Sequence, residues 1–257
     1  MPQSQDALPV VFLHGVGGSA RVWTPQMAAF AAAGFEPIAL NLLAYGGRPS
    51  VTALDFDSLA ADVEAEIARR GLDRPAVIGH SMGGMVVQTM LRRKPDGYRA
   101  AVLAGTSPAF GGADGDFQRK FVTDRIGPLD AGKTMVDLAP RLVERMMAPG
   151  SDPAGRALAI EVMSAVPADT YRAAVRCLVT FDERANLGKI GVPALCLACE
   201  NDPNAPAAVV ERMASKIPGS SYVCLPGLGH LPNLEAPEKF DAAILAFLRE
   251  VTSRPAN

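Results

Sequence analysis

The strongest constraint on the fold is five residues, Gly79-His80-Ser81-Met82-Gly83, set between the apolar run Pro75-Ala76-Val77-Ile78 and the helix-like run Met82-Gly83-Gly84-Met85-Val86-Val87-Gln88. Read together, these predict a strand, a sharp turn and a helix, with the serine at the apex. Such a turn strains the serine backbone, and small residues at 79 and 83 let strand and helix approach closely. It also puts Ser81 at a helix N-terminus, where unpaired N–H groups favour developing negative charge.

The rest of the chain carries the same alternation. Near-continuous apolar runs at 8–14, 36–41, 75–80, 100–105, 193–199 and 221–225 read as strands buried on both faces. Helical patterns lie between them at about 20–33, 55–70, 82–93, 205–217 and 235–250. For 55–70, Asp55 and Asp57 at the start and Gly71 past the end suit the helix dipole and its cap. The fold class is therefore α/β, a mostly parallel sheet with helices on both faces. The rhythm breaks between 107 and 188, where amphipathic helical stretches are punctuated by Gly111-Gly112, Gly127-Pro128, Pro149-Gly150 and Pro167. This divides the 257 residues into a core, 1–106 with 189–257, and a helical insertion, 107–188.

Lys and Arg number 25 against 27 Asp and Glu, dispersed along the chain, so there is no electrostatic footprint for nucleic acid or an anionic membrane. No apolar stretch is long enough to span a bilayer. The polar start, Met1 to Asp6, lacks the basic and apolar regions of a signal peptide, and a cytoplasmic location is the expectation. Cys196 and Cys199 form a C-x-x-C pair inside the apolar run 194–199, without a second pair or a nearby histidine to complete a metal site; buried reduced thiols are expected.

A serine hydroxyl needs a base to take its proton. Of three histidines, His14 ends the first strand and is expected to brace its loop, while His80 adjoins Ser81 and is expected to point away from it. His230, in a loop just beyond the strand 221–225, is the candidate base. The base needs a carboxylate to fix its tautomer. Asp202 follows the strand 193–199 and precedes Pro203, which suits a tight turn presenting the acid; Glu200 is the rival and Asp182 a more distant one. Backbone N–H groups of Val16, in His14-Gly15-Val16-Gly17-Gly18, and of Met82 are the candidate oxyanion donors. Trp23, Tyr45, Met146 and Met147 are candidate substrate-pocket residues, with core packing the alternative for each.

From Val10-Val11-Phe12-Leu13-His14-Gly15 to the last helix, the sequence resembles the α/β-hydrolase superfamily, most of all its small bacterial esterases and enol-lactone hydrolases. Pro226-Gly227-Leu228-Gly229-His230-Leu231-Pro232-Asn233-Leu234-Glu235-Ala236-Pro237-Glu238 is similar to their histidine segment. The resemblance implies that 107–188 forms a helical cap over the site. One departure is local: where relatives usually carry Asp and then Arg or Pro before a Gly-x-Gly turn, this chain reads Asn41-Leu42-Leu43-Ala44-Tyr45-Gly46-Gly47-Arg48. The expected activity is hydrolysis of a small, fairly apolar ester or lactone through an acyl-Ser81 intermediate, with no cofactor and no metal. The same residues would serve a perhydrolase, haloperoxidase or acyltransferase, and a non-catalytic binding protein on this fold is the reading from another class. Nothing in the sequence selects an oligomeric state.

Overall fold

The structure is a computed structural model that describes residues 7–111 and 115–253; the segment 1–6 and Gly112 lie outside the described residues. Six strands, β1 (Pro9–Leu13), β2 (Glu36–Leu40), β3 (Ala76–His80), β4 (Ala100–Ala104), β5 (Ala194–Cys199) and β6 (Ser221–Leu225), form one sheet in the order β2-β1-β3-β4-β5-β6. All five pairings are parallel. The chain moves from β1 outward to β2 and returns to β3 on the other side of β1. The loops leaving β1 and β3 therefore part, and the crevice between them, at the carboxyl ends of the strands, is where sites in such sheets form.

Strand residues alternate between two cores. Val10, Phe12, Ile78, Val102 and Leu197 face one way, against α1 (Thr24–Ala32) and α10 (Pro237–Ser253); Val11, Leu13, Val77, Leu103 and Ala198 face α2 (Phe56–Arg69), α3 (Met82–Arg93) and α8 (Ala207–Ala214). Helix α2 starts as its sequence predicts: Asp55 accepts the Ser58 N–H at 2.7 Å, and Gly71 takes a positive φ of 66° after its end. Two helical patterns are interrupted. The one at 20–33 opens as a 3-10 turn, Ala20–Trp23, before α1, and the one at 235–250 is split into α9 (Pro232–Glu235) and α10. Pro237 causes the second break, because it has no N–H to donate and forces Ala236 into an extended backbone, φ −152°.

Between β4 and β5 lie α4 (Asp116–Asp130), α5 (Met135–Met146), α6 (Pro153–Ser164), α7 (Ala168–Leu178) and a 3-10 turn, Arg184–Lys189. Among the described residues the one extended contact here is a bridge between Ala109 and Asp182, which brings the two ends of the segment together. The C-x-x-C pair is explained by strand geometry. Three residues apart on β5, Cys196 faces one core and Cys199 the other, so they cannot bond to each other; both are buried and free, and burial pushes their thiol pKa values up.

One carboxyl in this frame is set against its surroundings. Asp241 of α10 is buried, and its Oδ1 has no hydrogen-bond partner among the described residues. Burial raises its pKa from 3.8 to about 6. The folded chain thus holds this proton more tightly than the unfolded chain. The stabilisation is complete below pH 3.8 and is lost as the pH rises through about 6, leaving a buried charge above it. Asp241→Asn is therefore expected to stabilise the protein at pH 8 by about 1–3 kcal/mol and to have little effect at pH 4, as read from urea unfolding at the two pH values.

Candidate active site

The turn after β3 has the strained shape its sequence predicts. Ser81 takes φ 54° and ψ −119°, and its N–H is held by the Ala104 carbonyl of β4 at 2.9 Å. A Cβ at position 79 would lie 2.3 Å from the Gly83 carbonyl oxygen, and one at 83 would lie 2.2 Å from that of Leu13. A Cβ at position 15 would come within 2.9 Å of the Ser81 Cβ. These glycines are therefore required by contact: β1, β3 and the start of α3 touch through backbone alone, and the loop after β1 is pressed against the serine.

Three side chains from three strand ends meet there. His230 Nε2 lies 3.0 Å from Ser81 Oγ, and His230 Nδ1 lies 2.8 Å from Asp202 Oδ2. Because the carboxylate can only accept, the imidazole proton sits on Nδ1 and the Nε2 lone pair faces the hydroxyl. Asp202 is fixed in turn, its Oδ1 accepting the N–H groups of Asn204 (2.7 Å) and Ala205 (2.9 Å). Burial alone would raise its pKa, but His230 and these two donors outweigh burial and hold it below the ordinary value. The rivals are elsewhere: Glu200 caps the Gly227 N–H at 2.8 Å, and Asp182 pairs with Arg184 on the surface.

His230 is held from every side. Its N–H donates to the Met146 carbonyl at 2.6 Å, and its carbonyl accepts from His80 Nε2 at 2.6 Å. Burial and the neighbouring His230 push the His80 pKa down to about 3, so this ring stays a neutral donor. The His80 ring packs beside that of His230, 4.9 Å between centres, and the residue lines the cavity above Ser81. Glu235, buried five residues after His230, was not singled out in the sequence. Its carboxylate accepts the N–H groups of Gly229 (2.9 Å), Leu231 (2.9 Å) and Ala148 (2.8 Å) and the Ser151 hydroxyl (3.0 Å). One side chain thus ties the histidine loop to the α5–α6 connection. Its signal lay in the histidine segment, where it was visible only as part of a pattern.

His14 braces the other loop. Its Nε2 accepts the Leu42 N–H at 3.2 Å, which leaves the proton on Nδ1 for the Gly15 carbonyl at 2.9 Å; burial lowers its pKa to about 4. In the divergent stretch after β2, Asn41 accepts the Ala20 N–H at 2.8 Å, so this residue ties that loop to the one after β1.

Above Ser81 is a cavity of about 610 Å³. Val16 and Met146 line it, whereas Trp23, Tyr45 and Met147 do not. Trp23 is fully buried beneath the sheet, 5.1 Å from the Phe12 ring and 6.0 Å from that of Phe240. Tyr45 packs against His14 at 4.7 Å, and Met147 is buried in the larger core. Each is packed into a core or against a neighbouring ring and away from the cavity wall. Met82 likewise buries its side chain, but its N–H is the first of α3, with no preceding turn to receive it. Among the described residues no cluster of three or more His, Cys, Asp or Glu could hold a metal ion, and no helix is long and apolar enough to cross a membrane.

A hydroxyl, a base with the correct tautomer, a fixed carboxylate and a helix N-terminus equip this site for nucleophilic attack on a carbonyl. A profile of the alpha/beta hydrolase family matches residues 10–243. Among curated proteins, BpoC of Mycobacterium tuberculosis, provisionally named a non-heme bromoperoxidase, is 27% identical over 252 residues, 95% of this chain and 94% of its own. RutD of Caulobacter sp. strain K31, provisionally named a carbamate hydrolase, is 28% identical over 251 residues, 95% of this chain and 92% of its own. Among solved structures, the enol-lactonase from Burkholderia xenovorans LB400 superposes with a TM-score of 0.87 at 22% identity, over 96% of this chain and 94% of that one.

Glu235→Gln would face the amide NH₂ of the new side chain against N–H donors. It is expected to cost about 1–3 kcal/mol of stability and to slow the reaction of Ser81 with a fluorophosphonate, followed by intact mass.

Proposed function

Since the chain belongs to the alpha/beta hydrolase family, we propose that it is a serine hydrolase acting on a small carboxylic ester or lactone through an acyl-Ser81 intermediate. The observation that carries this reading is the unbroken relay from Ser81 Oγ through His230 to Asp202, at 3.0 and 2.8 Å. As Oγ attacks the carbonyl carbon, His230 Nε2 takes its proton, and the resulting imidazolium is stabilised by Asp202. The carbonyl oxygen becomes an oxyanion received by the N–H groups of Val16 and Met82. When the tetrahedral intermediate collapses, the C–O bond to the alcohol breaks and His230 returns the proton to the departing oxygen. Water then repeats the sequence on the acyl-enzyme, releasing the acid and restoring Ser81.

A second reading keeps the same relay with hydrogen peroxide replacing water in the last step, giving a peracid; the bromoperoxidase name of BpoC is what favours it. Peracid formation from the ester and peroxide, measured by bromide oxidation, separates the two. For the hydrolase, Ser81→Ala and His230→Ala are expected to lower kcat on activated esters by several orders of magnitude. Asp202→Asn is expected to be severe, because the imidazole loses its tautomer, whereas Glu200→Gln stays near the parent. A fluorophosphonate adduct at Ser81 is the accompanying mass shift. Absence of that adduct, with Ser81→Ala as active as the parent, would favour the non-catalytic binding reading.

A further inference from the structure

The cavity above Ser81 has no acidic side chain on its described walls and one fixed charge, the guanidinium of Arg125 on α4. The other cations of this helix are spent on surface acids: Arg119 pairs with Asp116, and Lys120 with Asp124 at 2.7 Å. Asp130, near the helix end, is taken by Arg172 at 3.0 Å. Among the described residues, no carboxylate lies within 4.0 Å of the Arg125 guanidinium. It stands 5.1 Å from the centre of the Phe121 ring and near the buried Tyr171 phenol, whose titration it influences. Both contacts orient a guanidinium without neutralising it. Around it the wall is apolar, with Phe110, Phe117, Val175 and Leu178.

We propose that Arg125 anchors a carboxylate at the far end of the acyl chain, so that the substrate is a half-ester of a dicarboxylic acid or a lactone bearing a free carboxylate. This rests on the serine-hydrolase reading and narrows it. A planar guanidinium matches a carboxylate with two parallel N–H···O bonds. A single cation suits a monoanion, whereas a phosphate dianion would leave charge uncompensated among aromatic side chains. The aromatic wall receives the methylenes between the two carbonyl carbons, and the cavity of about 610 Å³ has the size of small-ligand sites.

The experiment compares monomethyl adipate and monomethyl pimelate with methyl heptanoate and methyl octanoate, by acid release, for the parent, Arg125→Met and Arg125→Lys. A parallel titration calorimetry series measures adipate binding to Ser81→Ala with and without Arg125→Met. The ratio of kcat/KM, half-ester over neutral ester, is expected to fall about 10- to 100-fold in Arg125→Met, mainly through KM, and to recover in part in Arg125→Lys. Adipate binding to Ser81→Ala is expected to be lost in the double variant. An unchanged ratio, with neutral esters still turned over through Ser81, overturns the anchor and leaves the hydrolase reading in place. Arg125-dependent adipate binding, with turnover indifferent to Ser81→Ala, overturns the serine mechanism and leaves the anion site.

Discussion

The site depends on a backbone contact that side chains would prevent. The start of α3 lies against the end of β1 so closely that a methyl group on Gly83 would enter the Leu13 carbonyl, and Gly79 has the same relation to Gly83 itself. That contact holds Ser81 at φ 54°, outside the regions a serine ordinarily prefers. It also places the first N–H of α3 beside the loop after β1. The strain is local and is over-determined by a parallel sheet whose four inner strands are buried on both faces, while the edge strands β2 and β6 are partly exposed. A softer scaffold would relax the turn and turn the hydroxyl away from His230.

His230 is held by a different device. His230 sits on a loop, and a loop histidine would ordinarily sample several orientations. Here its N–H, carbonyl and Nδ1 are each occupied, by Met146, His80 and Asp202, and Glu235 gathers the N–H groups on both sides of it. His80 shows how one motif residue serves two loops: it adjoins the turn that carries Ser81, yet its ring supports the backbone of His230. Its neutrality follows from burial, and the bond to the His230 carbonyl needs only a donor.

What was legible in the sequence followed from local rules. The alternation of apolar runs and helical periods fixed the order and kind of the elements. Ser81, Asp202 and His230 could be picked out because each lies within five residues of a strand's end, and the carboxyl ends of parallel strands share one rim. Pro237 shifted a boundary that periodicity alone runs through. The walls of the cavity were not legible, since which side chains face it is settled by how helices pack: Trp23, Tyr45 and Met147 were plausible by composition and turned elsewhere. Arg125 carried no signal, because a helix with Arg119, Lys120 and Asp124 reads as a solvated charged face. Only packing shows that one of its cations is turned inward.

The connection from Met146 to Gly155 does more than contribute Met146 to the cavity wall. It supplies the carbonyl that takes the His230 N–H and the Ala148 N–H that reaches Glu235, and Gly155 lies so near Leu234 that a Cβ there would stand 1.9 Å from its carbonyl oxygen. The cavity wall and the mounting of the His230 ring therefore share one piece of chain. Grafting this stretch from a relative to change selectivity would import a foreign mounting for the imidazole, and a productive chimera would have to carry residues 229–235 along as its matched counterpart.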